Sequence, residues 1–200
     1  MKSGLMLAVN PQAKREENDF YATDPYVIDR SISFFDEIGI SKNEKIWECA
    51  CGKGHLSKRL EEYGFDVCST DLIGRGYGET ADFLTQREPL GETILTNPPF
   101  KLAHQFISHA NEIQGENNLS VFLLKIQFLE TEKRILLFKN CGLKYVGVMA
   151  NRVCCAMNGE FEKYFKMDKK TGAYKGSTQF MAWFVFQKGY VGNAIIRWIK

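Results

Sequence analysis

The sequence predicts an α/β fold built on a mostly parallel sheet, and three observations carry that expectation. Short apolar runs alternate with stretches of helical spacing from about residue 24 to residue 141, the order that parallel strands and crossover helices require. The first of these runs passes into a helix through Gly52-Lys53-Gly54, a turn that lets backbone approach a ligand without a Cβ in the way. A later run, Thr93-Ile94-Leu95, stops at Pro98-Pro99, because neither proline can donate to a ladder.

Taken in order, Asp24 suits a helix cap and Pro25 the first turn of a helix running to about Ile38. Its apolar residues Ile28, Ile32, Phe35 and Ile38 form one stripe, and Gly39 ends it. Lys45 to Ala50 reads as a strand, His55 to Tyr63 as a helix, and Phe65 to Thr70 as a second strand ending at Asp71. Residues 74–80 are glycine-rich and read as a mobile loop. After Thr93-Ile94-Leu95 comes a helix from Lys101 to Glu112, burying Leu102, Phe106, Ile107 and Ala110. Leu119 to Lys125 is an apolar fifth strand, followed by a helix ending near Cys141-Gly142. Lys144 to Ala150 and Phe180 to Gln187 are rich in strand-forming residues.

The whole chain of 200 residues reads as a single domain, with residues 1–18 a polar arm and residues 151–178 an insertion. Its 44% hydrophobic and 25% charged residues are ordinary globular material; no run is long enough to span a membrane and no signal sequence opens the chain. A cytoplasmic location is therefore expected. The six cysteines include no paired Cys-x-x-Cys units and read as reduced core or strand residues, so the expectation is no metal, with a zinc site from Cys49, Cys51 and a histidine as the alternative. Net charge is uneven: residues 1–119 hold 12 Lys+Arg against 19 Asp+Glu, whereas residues 120–200 hold 14 against 5. The basic half is a candidate face for a polyanion.

The chemistry concentrates at Asn97-Pro98-Pro99-Phe100. The prolines hold the backbone extended with carbonyls directed outward, Asn97 adds a side-chain acceptor, and Phe100 an aromatic face. Such a corner can hold a planar amino group by both protons while stacking on the attached heterocycle. The motif resembles the (Asp/Asn/Ser)-Pro-Pro-(Tyr/Phe) corner of S-adenosylmethionine-dependent amino-methyltransferases. Glu48-Cys49-Ala50-Cys51-Gly52-Lys53-Gly54 likewise resembles the acidic Gly-x-Gly turn of that family, and it does not complete a three-glycine dinucleotide fingerprint. Asp71, at the end of the second strand, is placed to accept both hydroxyls of an adenosine ribose, with Leu72 next to it. Ala81-Asp82-Phe83-Leu84 resembles the family motif in which Asp binds the adenine amino group and the next residue lies against the ring. Tyr21 and Thr23 match in type a cluster that touches the methionine end of the cofactor.

The resemblance implies a Rossmann-like, seven-stranded class I methyltransferase fold whose last strands form an antiparallel pair. It implies S-adenosylmethionine as cofactor, held by Tyr21, Thr23, Glu48, Cys49, Gly52, Gly54, Asp71, Leu72, Asp82, Phe83 and Asn97. Asn97, Pro98, Pro99 and Phe100 become the catalytic corner. The order of motifs resembles the gamma arrangement, and the tail from Trp183 to Trp198 resembles phage and prophage DNA adenine methyltransferases. The implied reaction is methylation of the exocyclic N6 of adenine in DNA, double-stranded, with the base flipped out. RNA adenine, a protein glutamine, or a silent binding module that keeps the fold are the alternatives.

The insertion carries Arg152, Lys163, Lys166, Lys169, Lys170 and Lys175 interleaved with Phe161, Tyr164, Phe165 and Tyr174. Cations can neutralise phosphates while aromatics stack on bases. It is the expected nucleic-acid-contacting loop.

Overall fold

A computed structural model describes residues 21–200; the expected arm at 1–18 lies outside the described residues. One sheet dominates. In chain order its strands are β1 (Lys45–Glu48), β2 (Asp66–Asp71), β3 (Glu79–Thr80), β4 (Thr93–Thr96), β5 (Leu119–Lys125), β6 (Leu143–Met149), β7 (Met181–Gln187) and β8 (Ile195–Ile199). Spatially they run β8-β6-β7-β5-β4-β1-β2-β3. The pairs from β3 to β5 are parallel, and β7 lies antiparallel between β5 and β6.

Both faces of this sheet are covered, which is why its central strands read as unbroken apolar runs instead of alternating ones. Helices α1 (Tyr26–Glu37) and α2 (His55–Glu62) cover one face. Ile28, Phe35 and Leu60 meet Ile46, Leu95, Val121 and Trp183 there. Helices α3 (Ala103–Ile113) and α4 (Glu132–Cys141) cover the other. On that side Phe106, Ile107 and Leu137 meet Trp47, Ile94, Phe122 and Phe184. Successive strand residues such as Ile46/Trp47 and Ile94/Leu95 therefore serve opposite cores.

The sheet has eight strands where seven were expected. The extra one is β8, formed by the tail residues, which adds parallel to β6 at the edge with Ile196 and Trp198 exposed. The third helix starts at Ala103, two residues later than expected, because Phe100–Leu102 form a tight 3₁₀ turn directly after the prolines. The glycine-rich stretch contributes the short edge strand β3. The insertion has structure of its own. Cys155–Met157 pairs antiparallel with Tyr21–Thr23, a four-residue helix spans Phe161–Tyr164, and Lys166–Met167 pairs with Tyr174–Lys175.

Candidate active site

The strand order reverses between β1 and β4, from which the chain proceeds to β2 on one side and β5 on the other. In open α/β sheets ligands bind in the crevice at the carboxyl ends of the strands flanking such a point. The glycine turn leaves β1 there, and Asn97-Pro98-Pro99-Phe100 leaves β4 there.

Gly52 and Gly54 both hold positive φ, 57° and 76°, which L side chains rarely adopt. The Tyr77 ring also stands where a Cβ on Gly54 would go. The turn is stitched to β2 by Cys51 N–H to the Thr70 carbonyl at 2.9 Å. Gly52 N–H then donates to Asp71 Oδ2 at 2.8 Å, and Ile73 N–H to Asp71 Oδ1 at 2.9 Å. Each oxygen of Asp71 thus takes one fixed donor and keeps acceptor capacity for a second. The Ala81 N–H donates to the Asp71 carbonyl at 2.9 Å, which brings Asp82 to the same edge. Leu84 N–H holds Asp82 Oδ1 at 3.0 Å. Leu72 is 59% exposed beside them, an apolar surface open to a ring.

Beneath the turn, Glu48 is buried and accepts from Ser57 Oγ, which in turn accepts from Ser69 Oγ at 2.7 Å. Burial pushes the Glu48 carboxyl up to about 7 against the lowering effect of Ser57. Cys49 is buried as well, and desolvation raises its thiol well above the ordinary range. Phe83 is a core residue: 2% exposed, its ring lies 5.2 Å from Trp47 and 4.7 Å from Phe106.

At the corner, Asn97 Nδ2 donates to Thr23 Oγ1 at 2.6 Å. Its Oδ1 is buried with no partner among the described residues. A buried acceptor left unpaired costs about 1–3 kcal/mol, so a donor brought to this oxygen would be bound favourably. Phe100, three residues further on, is 41% exposed. Tyr21 is also exposed, at the far end of the short strand that delivers Thr23.

That short strand is held by the insertion, register Thr23↔Cys155. Asp24 reinforces the junction: its carboxylate accepts from Tyr26 N–H at 3.1 Å, at the start of α1, and from Tyr174 N–H at 2.9 Å in the insertion. Lys53 Nζ donates to the Asn158 carbonyl at 3.1 Å, and His55 meets the Phe161 ring at 5.6 Å. The insertion therefore touches the glycine turn and, through Thr23, Asn97 at the head of the proline corner.

Its predicted contact residues divide into two groups. Lys163 pairs with Glu160 at 2.7 Å, Lys175 pairs with Asp168, and the Arg152 guanidinium lies 3.1 Å from the centre of the Phe180 ring. Lys166, Lys169 and Lys170 are exposed and form no ion pair among the described residues. Phe161 and Tyr174 stack on each other at 4.8 Å with Phe161 buried, so these two rings are occupied in a small satellite core. The fold also brings two cations beside Phe100 that no motif marks, Lys125 at the end of β5 and Arg134 on α4. Lys125 was legible as the residue closing the fifth strand; Arg134 had no local signal. All six cysteines are free, and no cluster among the described residues is arranged to hold a metal ion.

No protein-family model and no curated protein matches the chain. Solved structures do. A candidate RNA methyltransferase of Pyrococcus horikoshii superposes with a TM-score of 0.58 at 13% identity, over 84% of this chain and 86% of that one. A candidate class I S-adenosylmethionine-dependent methyltransferase of Listeria monocytogenes gives 0.55 at 13% identity, over 88% of this chain and 64% of its own. The fold is the class I methyltransferase fold. The type IIG restriction endonuclease BpuSI gives 0.57 at 13% identity, with 91% of this chain covering 27% of that protein. This chain thus spans about a quarter of the restriction enzyme and just under two thirds of the Listeria protein. No helix among the described residues is long and apolar enough to cross a membrane.

Proposed function

We propose that this protein transfers a methyl group from S-adenosylmethionine to the exocyclic N6 of adenine in DNA. The observation that carries the reading is Asn97, whose amide nitrogen is tied to Thr23 while its buried Oδ1 lacks a partner among the described residues. An acceptor so placed, beside the Pro98 carbonyl, suits the two protons of an amino group on a planar base. Phe100 offers the face on which that base stacks.

The residues at the switch point suit the cofactor in type and place. Gly52 and Gly54 open the turn, Asp71 would offer its remaining acceptor capacity to the ribose hydroxyls, and Asp82 and Leu72 would meet the adenine. When bound, S-adenosylmethionine supplies an electrophilic methyl group on a sulfonium. Asn97 and the Pro98 carbonyl would orient the amino lone pair toward that methyl group, and the amino proton leaves to solvent after transfer. Catalysis is then chiefly positioning, worth several kcal/mol of barrier without a strong base. A duplex base must leave the stack to reach this corner, at a cost of a few kcal/mol, part of which stacking on Phe100 offsets.

The test is incubation with labelled S-adenosylmethionine and unmethylated double-stranded DNA, followed by digestion and nucleoside analysis. N6-methyladenine is expected. Cofactor binding without N6-methyladenine in the DNA would overturn the reading, and methylated adenine confined to a parallel RNA sample would move the target to RNA.

A further inference from the structure

On the side of the corner away from the glycine turn lies a pocket of about 140 Å³, lined by Phe100, Leu124, Lys125, Gln127, Phe128 and Arg134. It holds two cations, and no carboxylate side chain lines it. Arg134 is held in place: Nη1 donates to the carbonyls of Gln127 at 3.0 Å and Glu130 at 3.3 Å, and its guanidinium lies 4.3 Å from the centre of Phe128. Nη2 and Nε remain for another acceptor. Lys125 Nζ stands 5.1 Å from the centre of the Phe100 ring, on a half-buried side chain. Neither cation forms an ion pair among the described residues.

Two cations gathered over aromatic faces in a recess free of acids are matched to an anion attached to something flat. Given the reading above, that the corner takes an amino-heterocycle, we propose that this pocket binds a phosphodiester group flanking the target base, contacted by Lys125 and Arg134. A base stacked on Phe100 carries its backbone phosphate one sugar away, and Lys125 already reaches over that ring. The same two residues separate a nucleotide from a protein glutamine, which presents the amide protons but no anion.

The probe is a fluorescein-labelled single-stranded 12-mer deoxyribo-oligonucleotide containing adenine, titrated by anisotropy against the full chain across a salt series. Lys125→Met and Arg134→Met should each make the log affinity versus log salt slope shallower by about 0.7, the share of one phosphate contact on a single strand. Lys125→Arg should restore the slope, whereas Lys42→Met, at the opposite end of the sheet, should leave it unchanged. A ribo-oligonucleotide of the same sequence shows whether the phosphodiester is preferred from DNA or RNA; the same loss of slope on either supports the pocket. Both methionine variants folded, with slope and affinity as in the parent chain, would overturn the proposal. Because the readout is binding, the two readings fail separately. Shallower slopes without methylated adenine would overturn only the assigned target atom, and methylated adenine with unchanged slopes only the phosphate pocket.

Discussion

Asn97→Ala is the sharpest perturbation of the site. The substitution removes Oδ1, the buried acceptor without a partner, and Nδ2, which donates to Thr23 at 2.6 Å. For folding, the lost hydrogen bond costs about 1 kcal/mol, while removal of an unpaired buried oxygen returns about 1–3 kcal/mol. The net lies between about 0 and 2 kcal/mol in favour of the variant, so the melting temperature should rise by no more than about 8 °C. For transfer there is no such offset. Loss of one preorganised polar group at a reacting centre costs about 3–4 kcal/mol, or roughly 10²- to 10³-fold in kcat. Cofactor affinity should stay within about threefold, because Asp71, Asp82 and the glycine turn are untouched.

Thr23→Val completes the argument. It keeps the shape and the Asn97 side chain but removes the tether that decides which end of the amide faces the site. An amide free to turn over should lower kcat by about tenfold, equivalent to about 1.4 kcal/mol. Single-turnover transfer with labelled cofactor, alongside calorimetric cofactor binding and thermal melting, reads all three quantities. A folded, cofactor-binding Asn97→Ala protein whose kcat lies within threefold of the parent would refute the role of Oδ1.

Asp71→Ala should weaken cofactor binding by at least about tenfold, since it deletes a charged acceptor, about 1.5–3 kcal/mol, and frees the Gly52 N–H that shapes the turn; equal affinity by calorimetry would remove Asp71 from the site. Glu48, raised from 4.5 to about 7, keeps a proton in the folded chain that the unfolded chain releases. Stability should therefore fall by up to about 3 kcal/mol as pH rises from 4.5 through 7 and level off above. Urea unfolding of Glu48→Gln should lose that slope, and an unchanged slope would assign it elsewhere. Ser31→Ala orphans the buried Trp183 Nε1–H, which donates to Ser31 Oγ at 2.7 Å, and should cost about 1–3 kcal/mol by the same method. Lys169→Glu with Lys170→Glu should lower DNA affinity and its salt dependence, while Lys163→Glu should do less, because Lys163 is already paired with Glu160.

Much of the fold was legible because its signals are local. The run from Leu119 to Lys125 is buried on both faces and needs no context to read as a strand. Pro98-Pro99 and the two glycines of the turn punctuate the chain wherever they stand. The residues that the sequence hid act across distance. Nothing near Thr23 announces a hydrogen bond to a residue 74 positions on. Asp24 reads as a helix cap and does bond the Tyr26 N–H, yet its second oxygen reaches Tyr174, 150 positions away. Phe83 follows the motif Asp in sequence, but the 3₁₀ turn begun by Asp82 delivers its ring to Trp47 and Phe106 in the core. β8 was missed because its exposed Ile196 and Trp198 break the pattern of a buried strand; only Ile199 reaches the core.

The insertion shows why charge alone is a poor guide to a binding face. Of its six cations, two are neutralised by acids two turns or less away in sequence, and one lies on Phe180. Two of its four aromatics stack together over Ala22 and Ala156. Those side chains build a cap that pins Thr23 against Asn97 and leans on Lys53 and His55. Under the proposed function, an insertion that only bound DNA would have no need to shape the Asn97 amide; one that did both would couple target contact to the geometry of transfer. Disturbing the stack, as in Tyr174→Ala, should thus reduce kcat through Thr23 before it reduces DNA affinity, whereas the exposed Lys166, Lys169 and Lys170 should govern affinity and leave kcat in place.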